Sequence, residues 1–344
     1  MKMKITTYDG KNYIMDECIG KGGMSKVYAG RSVADGRAVA VKMLTDSKRG
    51  DALFEAKRQL LGEMRILEAL KDKGVKGVPR LLGKGDSFYV MEYIKGRTFG
   101  KKELDAKKTI ELGTALCDIL TSLHEGFPRV LYLDLKPSNV MLGQSGEICL
   151  IDFGTARILS GYNDGDVADS ANGAGTKGYA APEQYGGLVS ESMQTDIYLL
   201  GRTLDAVIKE DRMDGFIVDE LKKVIERCTD VRKSARYCSC REVKAALLSC
   251  EKNAAKRKRF IAAGLIVGFI LFVLSAVFIL MFFMGKISAI YGIISVLLGR
   301  LIWNSDKIMG EAGILFGKKS EDGKMPEKPW LFLDIVKTCD TIDF

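Results

Sequence analysis

This chain predicts an α+β fold in two parts, strand-rich and then helical, followed by a helix able to cross a bilayer. Three observations carry that expectation. Residues 13–42 and 77–94 are short apolar and β-branched runs punctuated by glycine turns, the pattern of an antiparallel sheet. Residues 51–71 and 103–125 repeat their apolar residues at helical spacing. Phe260–Met284 holds 25 residues with no charge and Ser275 as its one polar side chain. At ~1.5 Å per residue such a helix spans roughly 37 Å, enough for a hydrocarbon core with some tilt.

Composition narrows the function classes. With 344 residues, 47% of them apolar, the chain can bury the core of one large or two ordinary domains. Net charge is +8, and a visible part of it sits in Lys256-Arg257-Lys258-Arg259. No other dense basic run and no aromatic-basic interleaving occurs, so a membrane surface is the expected partner and nucleic acid is not. Eight cysteines without a Cys-x-x-Cys pair, and a single histidine, argue against zinc. Most of those cysteines lie among apolar residues and read as reduced thiols of a cytoplasmic domain. Residues 1–9 lack the apolar core of a signal peptide.

From Tyr13 to Lys42 the expected order is strand, glycine turn, strand, turn, strand. The first turn lies in Ile19-Gly20-Lys21-Gly22-Gly23-Met24-Ser25-Lys26-Val27. Glycines there let the backbone close over a phosphate, where a Cβ would collide, although such a hairpin alone is more often a plain turn. Val39-Ala40-Val41-Lys42 is a β-branched strand ending in a cation. In the following helix Leu60, Leu61, Met64, Leu67 and Leu70 are expected on one face, with Glu63 and Glu68 as its candidate acids. Residues 77–83 and 88–94 are two further strands, the second leading into Lys95-Gly96. The helix over 103–125 ends in Leu123-His124, and this histidine is expected to pack structurally and not to act in chemistry.

The densest chemistry follows. The run Arg129-Val-Leu-Tyr-Leu delivers Asp134, Lys136 and Asn139 into a loop, and the run Ile148-Cys-Leu-Ile ends at Asp152-Phe153-Gly154. Two carboxylates, an ammonium and an amide can thereby gather around a nucleotide's terminal phosphate and its Mg²⁺. Further on stand Gly175-Thr176, Ala181-Pro182-Glu183, Thr195-Asp196 and Arg236.

In order and spacing these strings resemble the bacterial eukaryotic-type (Hanks-type) serine/threonine protein kinases, from about Tyr13 to about Ser249. The resemblance implies a two-lobed protein-kinase-like fold: an antiparallel β-rich N-lobe over 13–94 and a mainly helical C-lobe over 95–250. It implies ATP as the nucleotide. Ile19, Gly20, Lys21, Gly22, Gly23, Met24 and Ser25 would cover its phosphates, Ser25 replacing the third glycine of the usual pattern. Val27 would press on the adenine, in a pocket that also includes Ala40. Met91 would be the gatekeeper, and the backbones of Glu92 and Ile94 would meet adenine. Lys42, partnered by Glu63 with Glu68 as the alternative, would hold the α- and β-phosphates.

By the same resemblance Asp134 is the expected base, and Lys136 neutralises charge on the γ-phosphate. Asn139 and Asp152 would hold Mg²⁺, with Mn²⁺ as a substitute. Asp196 would tie down the catalytic-loop backbone, Arg236 would pair with Glu183, and Thr176 would bond Asp134 and Lys136. From Asp152 to Glu183 is 32 residues, a usual activation-segment length.

Two departures stand out. Tyr132-Leu133 replaces the standard His-Arg, so phosphate at Ser160 or Ser170 would lack its main partner, and turnover is expected not to need activation-segment phosphorylation. The stretch between Leu204 and Leu221 is short, so the usual substrate-docking helix is abbreviated or missing.

The expected order of segments is a lead over 1–12, the kinase domain over 13–250, a basic linker over 251–259 and a transmembrane helix over 260–284. A second apolar segment over 285–303 follows, as an interfacial helix, a return span or a partner contact, and then a tail over 304–344. Lys-Arg-Lys-Arg places the kinase domain in the cytoplasm of a cell-membrane protein. The expected function is signalling by phosphoryl transfer to protein serine or threonine, with protein substrates, the bilayer and a second copy of the chain as partners. The alternatives are a nucleotide-binding pseudokinase and a membrane scaffold.

Overall fold

The computed structural model describes residues 3–45, 49–159, 176–185, 190–209, 215–283 and 294–302. Ser160, Ser170, Gly175, Met284, Cys339, the rest of the second apolar segment and the 304–344 tail lie outside the described residues. The chain forms two units, Met1–Ala263 and Gly264–Phe344.

In the first unit a six-stranded antiparallel sheet is built from β1 (Met3–Thr6), β2 (Asn12–Lys21), β3 (Ser25–Ser32), β4 (Ala38–Leu44), β5 (Leu81–Lys84) and β6 (Phe88–Glu92). Its spatial order is β1-β2-β3-β4-β6-β5. Alternation along the strands puts Val39, Val41 and Val90 on one face, where they join Ile5, Tyr13 and Met15 in an apolar core. Strand β1 belongs to the stretch expected as a lead, and its Ile5 is buried in that core. The sheet curls: the Tyr8 N–H donates to the Lys84 carbonyl at 2.8 Å, and a Cβ on Gly83 would stand 2.6 Å from Thr7 Cγ2.

Helix α1 (Asp51–Asp72) crosses between β4 and β5 and buries Ala56, Leu60, Glu63, Met64, Ile66, Leu67 and Leu70. Leu61 differs from expectation. At 100° per residue it falls off the stripe that Leu60, Met64 and Leu67 define, and it is half exposed. The same geometry turns Glu63 inward.

The helical part holds α2 (Ala106–His124), α3 (Met193–Val207), α4 (Gly215–Cys228) and α5 (Cys240–Phe283). Asp105 caps α2 by accepting from the Lys108 N–H at 2.8 Å. Leu116, Leu120 and Leu123 of α2 are fully buried against Leu200, Leu204 and Leu247 in one core. Each such leucine contributes roughly 1.5–3 kcal/mol by leaving water. Seven residues separate α3 from α4.

Short strands carry the loops of interest: β7 (Gly96–Thr98), β8 (Arg129–Leu131), β9 (Val140–Gly143), β10 (Ile148–Leu150) and β11 (Arg157–Leu159). They form a three-stranded sheet, β10-β9-β7, and a two-stranded one, β11-β8. Near the end of the first unit, Arg257 of α5 pairs with Asp219 of α4 at 2.9 Å and lies over Phe216.

Helix α5 is 44 residues long and holds the basic cluster and the apolar run as far as Phe283. In the second unit its residues up to Phe283 are almost all exposed, with mean hydropathy reaching 3.1 over the most apolar window. Residues 294–302 are helical as well.

Candidate active site

Register fixes one wall of the site. Val27 lies opposite Lys42 and Ala40 opposite Met91, while Ala40 and Lys42 are two residues apart on β4. Facing pairs and i, i+2 residues share a side of a sheet, so Val27, Ala40, Lys42 and Met91 line the face away from the valine core. The β2–β3 turn hangs beside that face, closed by the Gly22 N–H donating to the Ser25 carbonyl at 2.8 Å. A Cβ on Gly23 would meet nothing within 4 Å, and one on Gly22 only the two Ser25 oxygens, at 3.4 and 3.9 Å. Neither glycine is left-handed, so the fold itself does not require them. The space they leave open suits a ligand that must approach the backbone. Ile19 and Met24, flanking the turn, are exposed.

At the end of β6 the Glu92 N–H is taken by the Arg80 carbonyl at 2.9 Å. A ligand contact through Glu92 would therefore use its carbonyl. Ile94 follows outside any strand.

Lys42 is 6% exposed, and its ammonium touches Glu63 at 2.6 Å and Asp152 at 2.8 Å. Burial works against its charge, but the two carboxylates prevail and raise its pKa. Burial pushes the Glu63 carboxyl up, against the pull of Lys42 and of the Tyr89 hydroxyl, which donates to Glu63 at 2.8 Å. Burial would also raise Asp152, yet Lys42 and the Gly154 N–H hold it below the ordinary aspartate value. Glu68 instead meets Lys84 at the surface, 2.6 Å away.

The second cluster forms where β8 ends. Asp196, fully buried on α3, accepts from the Tyr132 N–H at 2.9 Å and the Leu133 N–H at 2.7 Å. His124 Nε2 is 2.7 Å from the same carboxylate, so this histidine anchors the anchor. Next to it Leu133 is left-handed, with φ 65°. Lys136 Nζ donates to Asp134 and to Thr176, each at 2.7 Å, and the Thr176 hydroxyl donates to Asp134 at 2.6 Å. Asn139 Nδ2 donates to the Asp134 carbonyl and carboxylate, both at 2.9 Å.

The β9–β10 hairpin brings Asn139 and Asp152 to one open end. Val140 pairs with Leu150, and the Ile151 N–H donates to the Asn139 carbonyl at 2.9 Å. Asp152, left-handed at φ 66°, keeps a side chain 51% exposed. Asn139 uses the donor half of its amide on Asp134, so its oxygen is the half suited to a cation. A carboxylate and an amide oxygen are hard donors that fit Mg²⁺ or Mn²⁺ completed by phosphate and water.

Farther out, Arg236 is fully buried and grips Glu183 through two bonds of 2.7 and 3.0 Å. Three supporting residues escaped the sequence reading. Gln59 donates to the Gly154 carbonyl at 2.9 Å, Gln184 to the Leu133 carbonyl at 2.9 Å, and Tyr89 to Glu63. Gln59 lies four residues before Glu63, on the inward side of α1, and that spacing was the available signal. Tyr132 packs edge-on to Phe153 with centroids 5.2 Å apart, and its hydroxyl donates to the Ile151 carbonyl.

The protein kinase domain profile matches residues 13–213. An LRR receptor-like serine/threonine-protein kinase of Arabidopsis thaliana is 34% identical over 59% of this chain and 19% of its own length. Serine/threonine-protein kinases of Clostridium perfringens and Clostridium acetobutylicum are 29% and 27% identical, over 57% and 72% of this chain. The aligned regions span 28% and 41% of those two proteins. The family uses ATP with a divalent metal, typically Mg²⁺. With a profile match over more than half of its length, on a curled antiparallel sheet followed by a helical lobe, the chain belongs to the protein kinase family.

Proposed function

We propose that the chain is a membrane-anchored serine/threonine protein kinase that passes the γ-phosphoryl group of ATP to protein hydroxyls in signalling. The observation that carries this reading is a pair of intact ionic clusters. One joins Lys42, Glu63 and Asp152; the other joins Asp134, Lys136 and Thr176. Buried and half-buried charges add little net stability, so a bare scaffold gains nothing by keeping them.

In this reading Lys42, oriented by Glu63, holds the α- and β-phosphates under the Ile19–Ser25 hairpin. Val27, Ala40 and Met91 flank the adenine, and the backbones of Glu92 and Ile94 meet its edge. Asp152 and Asn139 hold Mg²⁺, which supplies charge neutralisation between the phosphates. Asp134 orients the acceptor hydroxyl and takes its proton. Lys136 offsets charge growing on the transferred group. Thr176, bonded to both, keeps their side chains aligned. The Leu133 side chain has no donor, so turnover does not depend on phosphate in the activation segment.

For the segments we propose an N-lobe over 13–94 with β1 added ahead of it, a C-lobe over 95–250 and, within helix α5, a basic linker over 251–259. The span is 260–284, followed by 285–303 and the 304–344 tail. The exposed apolar stretch of α5 and the preceding Lys-Arg-Lys-Arg support a cytoplasmic kinase domain on a cell membrane. The test is the full chain in detergent with labelled ATP, Mg²⁺ and a generic protein acceptor. Phosphoserine and phosphothreonine are expected. Nucleotide binding without transfer would favour a pseudokinase instead.

A further inference from the structure

The residue before Asp134 is held from every side. Leu133 is left-handed, a conformation that persists in a leucine only where its surroundings over-determine it. Its N–H donates to Asp196 at 2.7 Å and its carbonyl accepts from Gln184 at 2.9 Å. Its side chain, 1% exposed, joins Leu131 of β8 and Leu159 of β11 in a small apolar cluster, with Met193 of α3 packed against it. Strand β11 is the first piece of chain after Asp152-Phe153-Gly154, and it pairs with β8 through Arg157–Leu131 and Leu159–Arg129.

A charged contact reinforces the same junction. Arg157 of β11 meets Glu191 at 2.6 Å, with side chains only 16% and 10% exposed. Glu191 stands two residues ahead of Met193, the first residue of α3. The ion pair and the leucine cluster thus fasten β11 to the same two elements, β8 and the start of α3. Between them lies the backbone that presents Asp134.

A buried ion pair is a poor source of net stability, and its attested use is to fix one arrangement over others. Here the arrangement is the seating of β11. We propose that Glu191 is a resident anion that, through Arg157, seats β11 against the Leu133 cluster and so positions Asp134. It does within the fold what a phosphate does when it orders a segment through an arginine. This rests on the kinase reading above and adds the residues that make the site self-sufficient. Glu191 and Arg157 are positioning residues: neither touches the reacting atoms.

The test uses the full chain in detergent, as wild type, Glu191→Gln, and the swap Arg157→Glu/Glu191→Arg. Two quantities are read: steady-state kinetics in ATP, and hydrogen exchange of the backbone amides of residues 157–159. Glu191→Gln should lose about tenfold or more in kcat with KM for ATP within about twofold. The 157–159 amides should exchange faster, while those of α2 stay unchanged. The swap should recover most of both. A Glu191→Gln protein with wild-type kcat and wild-type exchange at β11 overturns the proposal. If that variant fails to fold, the swap decides: folded and active supports it, folded with low kcat and fast exchange at β11 overturns it. A wild type without transfer would sink the kinase reading alone, because the exchange comparison still decides whether Glu191 seats β11.

Discussion

Replacing Asp196 by asparagine probes the hidden support of the site. Its carboxylate is fully buried and accepts from Tyr132 N–H, Leu133 N–H and His124 Nε2 at 2.9, 2.7 and 2.7 Å. Asparagine keeps the shape but offers one acceptor oxygen and one NH₂. The two backbone N–H groups lie on different carboxylate oxygens, so either orientation of the amide sets a donor against one of them. Leaving one buried N–H unsatisfied costs about 1–3 kcal/mol, and the other bonds lose their charge assistance, about 1 kcal/mol each. The sum is roughly 3–5 kcal/mol. At about 2–4 °C per kcal/mol for a domain of this size, Tm should fall by roughly 10 °C. The loosened backbone is that of Tyr132 and Leu133, immediately before Asp134, so kcat should drop at least about tenfold. Thermal melting and phosphotransfer on the same preparation measure both. An Asp196→Asn protein melting within ~2 °C of wild type with kcat within about twofold would refute this reasoning.

Three further outcomes are expected. Ile5→Ala, in the strand ahead of the matched kinase region, should destabilise the sheet by about 2–4 kcal/mol, read by denaturant unfolding; a silent change would mean β1 is an ornament. Burial works to raise Glu183, but Arg236 and Thr195 hold its pKa below 4.5, so its contribution to stability is complete above pH 4.5 and fades as pH falls through the folded value. Melting followed from pH 7 downward should show that loss in wild type and a flatter curve, starting lower, in Glu183→Gln. Full-length protein should stay with membranes through high-salt washing, because an apolar helix is not held by charge. A chain ended after Arg259, which retains the Arg257–Asp219 pair, should be soluble and active; salt release of the full chain would make the basic cluster the true anchor.

Most of the fold was legible because its elements announce themselves locally. The glycine turn, the Val39–Lys42 strand and the helix carrying Glu63 are each encoded within a few residues. Strand β11 was not legible: Arg157-Ile158-Leu159 is three residues, and what makes it a strand is β8, more than twenty residues upstream. Strand β1 was missed because Met3–Thr6 alternates too briefly for a period to show. In the site, the resemblance implied that Lys42 would meet Glu63, and the structure shows the helix phase that turns Glu63 inward to do so. Leu61, two residues before Glu63, falls on the opposite phase and is exposed, contrary to expectation. The supports from Gln59, Gln184 and Glu191 depend on where separate elements dock, which no local pattern records. His124 was expected merely to pack; its bond to Asp196 joins two helices that lie far apart in the chain.

The central claim is that Asp134 serves the acceptor while Asp152 serves the metal. It is tested most directly by measuring Mg²⁺-dependent ATP affinity and phosphotransfer side by side for wild type, Asp134→Asn and Asp152→Asn. Wild type should bind and transfer. Asp134→Asn should bind ATP·Mg²⁺ with near wild-type affinity and lose transfer, and Asp152→Asn should lose both productive metal binding and transfer. If both variants still transferred phosphate, the assignment of roles and the kinase account would fall together.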